Sequence, residues 1–390
     1  MNEQRQIPFA RPWINDDDRK AVMAVLNGHI LTHGPECKAF EQEFAAFLGE
    51  GAHSVSVSSC MAALHLAYLQ FGIGPGDEVI VPAQTHSATA HAVEWVGAKP
   101  VFVDCGSSTG NLSASGIEAA LSSKTKAISV VHFAGIPCGM PAIVDLAQRQ
   151  GLKVIEDCAI ALGARYAGRH VGLFGDAGCF SFYPVKHMTT GEGGMFVTRH
   201  GEVAQAVAKL RAFGVDRTHT ERTVPGMYDV PSLGLNYRMS EMQAALGRSQ
   251  LRRIPENLAR RATQFDRYRR LAQAIPDVAL IQVADPQAHC SHYCVSLVLG
   301  GRLAAHRNAV VSRLNAVGIG TSIYYPQPVP RMSYYKDKYG YTPGRFPHAE
   351  TISDRSIALP FGMHVTDGDI DYVMATLKEI LNNLDEGRGR

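Results

Sequence analysis

The chain has 390 residues, of which 46% are hydrophobic and 19% are charged. These are ordinary values for globular proteins, so the composition excludes a wholly disordered chain, and the length favours two or three domains. The 38 Lys and Arg residues and 36 Asp and Glu residues leave a net charge of +2, without a long basic run. A nucleic acid is therefore not expected as an obligatory partner.

The cysteines and the apolar segments indicate the compartment. All eight Cys residues stand singly without a CxxC pair, which is typical of reduced thiols rather than of a disulfide framework. The first residues contain no apolar signal-peptide segment, and no stretch has the roughly 18 apolar residues that a membrane span requires. We therefore expect a cytoplasmic protein without a membrane partner.

The first predicted element is a helix at 38–47, because Phe40, Phe44 and Phe47 recur on one helical face. From about residue 53 to residue 200, short runs rich in Val and Ile alternate with helical patterns. Strands are predicted at 54–59, 77–83, 98–104, 126–132, 152–157, 178–183 and 194–199, and helices at 60–72, 87–97 and 140–151. This alternation predicts an α/β fold with a mainly parallel sheet, in which ligands bind at the carboxyl ends of the strands.

The pattern changes after about residue 245. The predicted elements there are a helical connector at 249–275, a strand at 292–300 and helices at 302–318 and 372–384. We therefore predict a large domain at 1–248, which includes an N-terminal arm, and a smaller α+β domain at 249–390. HCSHYC at 289–294 offers possible metal ligands, but a strand directs alternate side chains to opposite faces, so no metal site is expected.

Two residues of the first domain suggest covalent cofactor chemistry. Asp157 closes the strand at 152–157, and Lys186 follows the strand at 178–183 and precedes a glycine-rich segment. A desolvated lysine can form a Schiff base, and a buried carboxylate is what the pyridinium nitrogen of pyridoxal 5′-phosphate (PLP) needs. Ser181 could donate to the phosphate group of this cofactor. The alternative is a surface lysine and an aspartate that caps a helix.

Three longer segments, in the expected order, resemble one known family. They are GIGPGDEVIVPAQTHSATAHAVEWVGAKPVFVD, VIEDCAIALGARYAGRHVGLFGDAGCFSFYPVKHMTTGEGG and LNYRMSEMQAALGRSQL. The sequence resembles the sugar aminotransferases of the DegT/DnrJ/EryC1/StrS family, from IPFARPWI near the start to ALPFGMHVT near the end. The resemblance implies a type I aminotransferase fold, PLP as cofactor, and a homodimer whose active sites are shared between the subunits.

The resemblance also assigns site residues by position. Lys186 matches the lysine that forms the Schiff base with PLP and transfers the proton, and Asp157 matches the partner of the pyridine nitrogen. The other positions implied to bind the cofactor are Ser181 and the backbone of Cys60 and Met61 at the phosphate, His86 at the ring, and Asn236 at the phosphate of the other subunit. The candidate substrate contacts are His187, Glu192, Tyr324 and Tyr325. A solvated Glu192 and tyrosines that only pack on the sheet are the alternatives.

Four departures from the family pattern accompany these matches. Cys60-Met61 stand where Gly-Thr is common, and His86 stands where a larger aromatic residue stacks on the cofactor. Ile160 replaces a glutamine, and Pro330 replaces a histidine. These departures leave the chemistry intact and suggest an outlying subgroup with an altered substrate or altered cofactor electronics.

The reaction implied by the resemblance is an exchange in two steps. An amino acid, expected to be L-glutamate, gives its amino group to the cofactor, and the amino group then passes to the keto group of a nucleotide-linked deoxy-ketosugar. Because lysine rather than histidine stands at position 186, transamination is favoured over the sugar dehydration that some family members catalyse. A cyclitol ketone or related antibiotic precursor is the alternative acceptor, and a PLP-binding regulatory protein without turnover is the alternative outside catalysis.

Overall fold

The computed structural model describes residues 5–32, 34–49, 51–216, 223–224 and 226–386. Strands and helices alternate along much of this part of the chain. The strands are β1 (His53–Val57), β2 (Glu78–Pro82), β3 (Lys99–Val103), β4 (Thr125–Val131), β5 (Lys153–Asp157), β6 (Arg165–Tyr166), β7 (Arg169–His170), β8 (Ala177–Ser181), β9 (Gly194–Thr198), β10 (Val278–Leu280), β11 (Ala288–His289), β12 (Val295–Leu299) and β13 (Ser356–Leu359). The helices are α1 (Asp16–Leu26), α2 (Pro35–Leu48), α3 (Cys60–Gln70), α4 (Ser87–Trp95), α5 (Ala114–Glu118), α6 (Met140–Gln150), α7 (Gly201–Leu210), α8 (Glu241–Leu251), α9 (Ile254–Ala272), α10 (Arg307–Ala316), α11 (Ser333–Tyr339), α12 (Pro347–Arg355) and α13 (Asp367–Glu386). Within the described residues, no helix is both long and apolar enough to cross a membrane.

The seven strands predicted between residues 54 and 199 form one sheet, with the order β1-β9-β8-β5-β4-β2-β3. Each pair from β8 to β3 is parallel, whereas β9 is antiparallel to both of its neighbours. Val79, Ile80 and Val81 of β2 are completely buried, as expected for a strand that is covered by helices on both faces. The predicted α/β fold with a mainly parallel sheet is confirmed.

Local sequence explains the helices that cover this sheet. Phe40 and Phe44 lie in α2 and are fully buried, where they pack against Phe180 and Phe182. α3 begins directly after Ser59, whose side chain accepts a hydrogen bond from a backbone N–H of the first turn. The Cys60 thiol in the first turn of α3 lies 3.8 Å from the Asp157 carboxylate at the end of β5, so both lie at the same edge of the sheet.

The C-terminal part, from α9 onwards, has a small sheet and an apolar core of its own. Its antiparallel sheet has the order β10-β12-β13 and shares an apolar core with α9, α10 and α13. Ile7 pairs with Ile319 and is buried in the same core, so the N-terminal segment packs on the C-terminal part. The division of the chain between residues 248 and 249 stays a prediction.

The strand predicted at 292–300 is shorter in the structure, since β12 begins only at Val295. His292 has a φ angle of +50°, which an extended strand cannot contain, and its ring stacks on Phe265 at 4.4 Å between centroids. The Cys294 thiol turns instead towards the Ser296 hydroxyl, 3.5 Å away. The side chains of the HCSHYC segment therefore point to different environments.

Candidate active site

Several parallel strands end at one edge of the large sheet, and polar residues follow them there. β5 ends at Asp157 and β8 ends at Ser181, and Asp157 lies opposite Cys179 in the ladder between these two strands. β2 ends at Pro82 and leads through residues 83–86 into α4. Because the strands run in the same direction, these residues converge at the edge where α/β sheets bind their ligands.

Asp157 is a buried carboxylate with fixed orientation. It is 5% exposed, and its Oδ2 accepts a hydrogen bond from the Thr89 hydroxyl at 2.8 Å. Its Oδ1 accepts a hydrogen bond from the backbone N–H of Ala159 at 3.0 Å and lies 3.8 Å from the Cys60 thiol sulfur. A carboxylate held in this way can pair with a positively charged ring nitrogen.

Thr89 is a member of the site that the sequence did not reveal. It lies in the first turns of α4 and is fully buried, and its Oγ1 is 2.8 Å from Oγ1 of Thr85. Since Thr89 donates its only hydroxyl hydrogen to Asp157, Thr85 must be the donor to Thr89. The available signal was a hydroxyl-rich TxSxT segment directly after a buried strand.

The N-terminus of α3 lies very close to β9. The backbone of Gly194 approaches so closely that an added Cβ would lie 2.5 Å from the carbonyl carbon of Ser59 and 2.6 Å from the backbone nitrogen of Cys60. The first N–H groups of a helix, here those of Cys60 and Met61, have no partner within the helix and can bind a phosphate group. Ser181, which pairs with Gly194 in the β8–β9 ladder, adds a hydroxyl group at the same place.

The side chain of Cys60 points inwards, away from these N–H groups. Its sulfur lies 3.4 Å from the carbonyl oxygen of Cys179, in addition to its contact with Asp157. Burial, and then the negative charge of Asp157, raise the pKa of the Cys60 thiol well above its usual value. Cys60 is therefore a neutral thiol that leaves its backbone N–H free to bind an anion.

Lys186 lies in the turn that follows β8, where its backbone N–H donates to the carbonyl of Tyr183 at 2.9 Å. Its Nζ is 5.0 Å from the centre of the Tyr293 ring. Burial lowers the pKa of Lys186, while the negative charge of Asp157 acts in the opposite direction. A lowered pKa increases the fraction of neutral amine, which is the form that attacks a carbonyl group.

His86 lies at the N-terminus of α4, on the open side of the site. Its Nδ1 accepts a hydrogen bond from the backbone N–H of Ala88 at 3.1 Å, so a neutral ring carries its hydrogen on Nε2. Desolvation, and then the positive charge of Lys186, lower the pKa of His86. The ring meets Tyr325 edge to face, with the centroids 5.7 Å apart. His86 is thus a neutral aromatic ring at the mouth of the site.

Two of the candidate substrate residues, Tyr324 and Tyr325, belong to an aromatic wall beside Lys186. The Tyr324 hydroxyl is 2.9 Å from the hydroxyl of Tyr293, the ring that lies under Lys186. Gln84 donates to the Tyr324 carbonyl at 3.0 Å and holds this segment against the large sheet. Burial raises the pKa of Tyr324 to about 12, so this hydroxyl group is neutral at physiological pH.

The remaining predicted site residues have different environments. His187 is buried and its Nε2 donates to the carbonyl of Ser291 at 3.0 Å. Glu192 has an exposed side chain, and its backbone carbonyl accepts a hydrogen bond from Gln243 at 2.6 Å. Asn236 is exposed on the surface. The substrate roles of His187 and Glu192 and the phosphate role of Asn236 stay predictions.

Two of the departures from the family pattern lie in the protein interior. Ile160 is 2% exposed and packs in an apolar cluster that also contains Phe133. Pro330 is buried in the short helical turn that precedes α11. Both side chains fill space in the core instead of offering a polar group.

A buried cluster of metal-ligand residue types lies next to the site. The donor atoms of His132, Glu156 and Cys158 all lie within 4.8 Å of one another. However, the Glu156 carboxylate accepts hydrogen bonds from His132 and from the backbone N–H groups of Gly172, Phe174 and Gly175. Nδ1 of His132 accepts a hydrogen bond from the backbone N–H of Cys138. These bonds occupy the lone pairs that a metal would need, and they tie the 172–175 loop to β5.

Comparisons with known proteins agree with this geometry. The family model described as the DegT/DnrJ/EryC1/StrS aminotransferase family matches residues 12–378. The spore coat polysaccharide biosynthesis protein SpsC of Bacillus subtilis is 37% identical over 383 residues, which are 97% of this chain and 98% of SpsC.

Solved structures show the same fold. The aminotransferase TlmJ from Streptoalloteichus hindustanus is 30% identical, with a TM-score of 0.89 over 97% of this chain and 100% of TlmJ. The sugar aminotransferase candidate Spr1654 from Streptococcus pneumoniae, solved in a PLP form, is 28% identical, with a TM-score of 0.90 over 97% of this chain and 99% of Spr1654. The expected aminotransferase fold and PLP as cofactor are confirmed. The chain therefore belongs to the DegT/DnrJ/EryC1/StrS aminotransferase family, and it is a PLP-dependent aminotransferase.

Proposed function

We propose that this enzyme transfers the amino group of L-glutamate to the keto group of a nucleotide-linked deoxy-ketosugar, and that Lys186 is the residue that binds PLP covalently. When bound, PLP supplies a carbonyl carbon that reacts with amines and a pyridinium ring that withdraws electrons. The observation that carries the proposal is the position of Lys186 at the same sheet edge as the buried carboxylate of Asp157 and the free N-terminus of α3.

The surroundings of Lys186 suit both binding and proton transfer. Its lowered pKa makes the neutral amine available to react with a carbonyl group. The protonated form is stabilised by the Tyr293 ring, whose centre lies 5.0 Å from Nζ. An amine that is stable in both protonation states can take up a proton and return it to the reacting carbon.

Asp157 and α3 would hold the two ends of the cofactor. Thr89 and Ala159 fix the Asp157 carboxylate, which can then pair with the protonated ring nitrogen. The N–H groups of Cys60 and Met61 and the hydroxyl of Ser181 form a set of donors for the phosphate group. His86 would lie against the ring as a neutral aromatic side chain.

The surface around Asn236 supports a homodimer with shared active sites. Leu233 is 94% exposed, and Phe213 and Val230 are also exposed, which makes an apolar surface of the kind that binds a partner. Asn236 is exposed next to it, and its side chain has no hydrogen bond to any residue that the structure describes. Asn236 is therefore available to reach the phosphate site of a second subunit.

Similarity and surface chemistry support a sugar as the acceptor. SpsC is named for the biosynthesis of a polysaccharide, and Spr1654 is described as a sugar aminotransferase candidate. Tyr324 and Tyr325 provide a half-buried aromatic wall against which a sugar ring can pack. Sugars enter polysaccharide synthesis attached to nucleotides in the cytoplasm, where we propose that the enzyme works, and its eight free thiols suit that compartment.

The test is a visible absorbance spectrum of the PLP-loaded enzyme before and after L-glutamate, followed by a panel of keto acceptors. We expect the absorbance of the cofactor to shift with glutamate and to return with a nucleotide-linked ketosugar. Lys186→Ala should not regain the starting spectrum. Return of the spectrum with a cyclitol ketone, but with no nucleotide-linked sugar, would overturn the proposed acceptor.

A further inference from the structure

The N-terminal segment at residues 5–9 lies against the C-terminal part of the chain and ends beside the aromatic wall. The backbone N–H of Ile7 donates to the carbonyl of Gly318 at 2.8 Å, and the N–H of Gly320 donates to the carbonyl of Ile7 at 2.9 Å. The Ile7 side chain is 4% exposed, in the apolar core of this part. Two backbone hydrogen bonds and a buried side chain therefore fix the course of the segment.

Two glycines leave room for this segment. A Cβ added to Gly318 would lie 2.3 Å from the carbonyl oxygen of Arg5, and a Cβ added to Gly320 would lie 2.6 Å from the backbone nitrogen of Phe9. Both distances are well below van der Waals contact. Gly318 has a φ angle of +82°, which by itself favours glycine, whereas at Gly320 the close approach of the segment is the reason.

The two ends of the segment are also held. The Arg5 guanidinium donates from Nε to Oδ1 of Asp369 at 3.0 Å. At the other end, the backbone N–H of Phe361 donates to the carbonyl of Phe9 at 3.2 Å, and the Phe9 side chain is half-buried. The position of the Phe9 ring is therefore set by the C-terminal part of the chain.

The Phe9 ring begins a series of aromatic contacts that reaches Lys186. Its centroid lies 6.0 Å from that of Tyr324, and the two planes are tilted by 39°. Tyr324 meets Tyr293 edge to face, with the centroids 5.3 Å apart and the hydroxyl groups 2.9 Å apart. The centre of the Tyr293 ring lies 5.0 Å from Nζ of Lys186. Three successive contacts thus connect the N-terminal segment to the Lys186 amine.

The orientation of the Tyr324 side chain depends on these ring contacts. Gln84 holds only the backbone carbonyl of Tyr324. Among the described residues, the rings that contact Tyr324 are those of Phe9, Tyr293 and Tyr325. Phe9 is the one that a separate segment holds in place. Removal of its ring would leave a space beside Tyr324, into which the side chain could turn or water could enter.

We propose that Phe9 is a positioning residue, which holds Tyr324 and Tyr293 against the Lys186 amine and limits the access of water to it. This inference rests on the proposed function, in which Lys186 binds PLP. Burial is the main cause of the lowered pKa of Lys186. If the wall loosens, water reaches the amine and its pKa should rise towards the usual 10.5.

The charges around Lys186 do not come from the N-terminal segment. The titratable groups that surround the amine are those of Asp157, Cys60, Cys294, His86, His187 and Tyr293. Arg5 is the charged residue of the segment, and it is paired with Asp369. Replacement of Phe9 leaves all of these charges in place, so a change at Lys186 reports the packing of the wall.

The experiment is acetylation of the PLP-free protein with acetic anhydride, in which mass spectrometry measures the labelling of Lys186 as a function of pH. Because the neutral amine is the reactive form, the midpoint of the profile gives its pKa. In Phe9→Ala, we expect labelling at pH 8, relative to labelling at pH 11, to fall about 3-fold or more. Phe9→Tyr keeps the ring and should keep the original profile.

Phe71→Ala is the matched control, since Phe71 is also half-buried but follows the last residue of α3, about 16 Å along the helix from Cys60. An unchanged profile in Phe9→Ala would overturn the inference, and so would an equal change in Phe71→Ala. Arg5→Met loosens the other end of the segment and should act in the same direction. If Phe9→Ala does not fold, an unchanged profile in Arg5→Met overturns the inference. Because neither PLP nor substrate is present, the result stands apart from the absorbance test of the proposed function.

Discussion

The hydroxyl group of Thr89 donates a hydrogen bond to Oδ2 of Asp157 across 2.8 Å, and both side chains are buried. Thr85 donates in turn to Thr89 over the same distance. One hydroxyl group from the loop before α4 and one from the first turn of α4 thus form a chain of hydrogen bonds to the carboxylate at the end of β5. This hydrogen-bond relay from Thr85 through Thr89 to Asp157 links the segment after β2 to the end of β5, where the cofactor is proposed to bind.

Replacement of Thr89 tests the relay. In Thr89→Val, the side chain keeps its shape but loses its donor, which leaves a buried carboxylate oxygen and the Thr85 hydroxyl without a partner. We expect the free energy of unfolding to fall by about 1–3 kcal/mol, measured by urea denaturation. Thr89→Ser restores the hydroxyl and should recover most of the loss. Equal stability of the valine variant and the original protein would contradict the relay.

Replacement of Asp157 tests the charge at the ring nitrogen. Asp157→Asn keeps a hydrogen-bond acceptor for Thr89 but removes the negative charge. We expect kcat to fall by about 100-fold, because the positively charged ring nitrogen of the cofactor would lose its fixed negative partner. Asp145→Asn is the control, because Asp145 has a largely exposed side chain on α6. A kcat that is the same in both variants would exclude the proposed role.

The close approach of β9 and α3 gives a steric prediction. In Gly194→Ala, the new methyl group would lie within 2.6 Å of the Ser59 and Cys60 backbone. We expect a loss of about 1–3 kcal/mol in stability and weaker PLP binding, because the strand or the helix must move. Gly139→Ala serves as the control, since its added Cβ meets no atom within 4 Å. The affinity for PLP is measured by titrating each variant with PLP and recording the visible absorbance of the bound cofactor.

The lowered pKa of Lys186 gives a pH prediction for the PLP-free protein. Between the lowered pKa and the usual value of 10.5, the unfolded chain binds more protons than the folded chain, so stability rises with pH. Below the lowered pKa the penalty for the buried charge is present in full. Lys186→Met removes the group and should raise the melting temperature most below the lowered pKa and least above pH 10.5. Thermal melts of both proteins at about pH 7 and about pH 11 measure the difference.

The shared active site can be tested by subunit mixing. Lys186→Ala and Asn236→Ala should each have low activity when purified alone. If Asn236 serves the site of the other subunit, a mixed dimer has one site with both native residues and one site with neither. Coexpression of the two variants should then restore about a quarter of the original activity, given random pairing of subunits. No recovery, although mixed dimers are present, would place both residues in the same subunit's site.

The strands of the large sheet were predictable because each is a short apolar run between helical patterns, and most of these runs contain Val or Ile. Such a run gives a recognisable signal before the fold is known, and the predicted strands at 152–157 and 178–183 correspond to β5 and β8, although β8 ends at Ser181. The strand that begins at Val295 was predicted too long. The positive φ angle of His292 ends the extended conformation, and the residue type alone does not predict this angle.

The sequence by itself determined the α/β layering, the family resemblance and the placement of Asp157 and Lys186 after their strands, because these depend on local periodicity and on contiguous motifs. Only the tertiary structure decided that Thr89 reaches Asp157 and that the Tyr293 ring lies beside the Lys186 amine. Those contacts join segments that lie far apart in the chain. Their existence depends on how helices are oriented against the sheet, and no local pattern encodes that orientation.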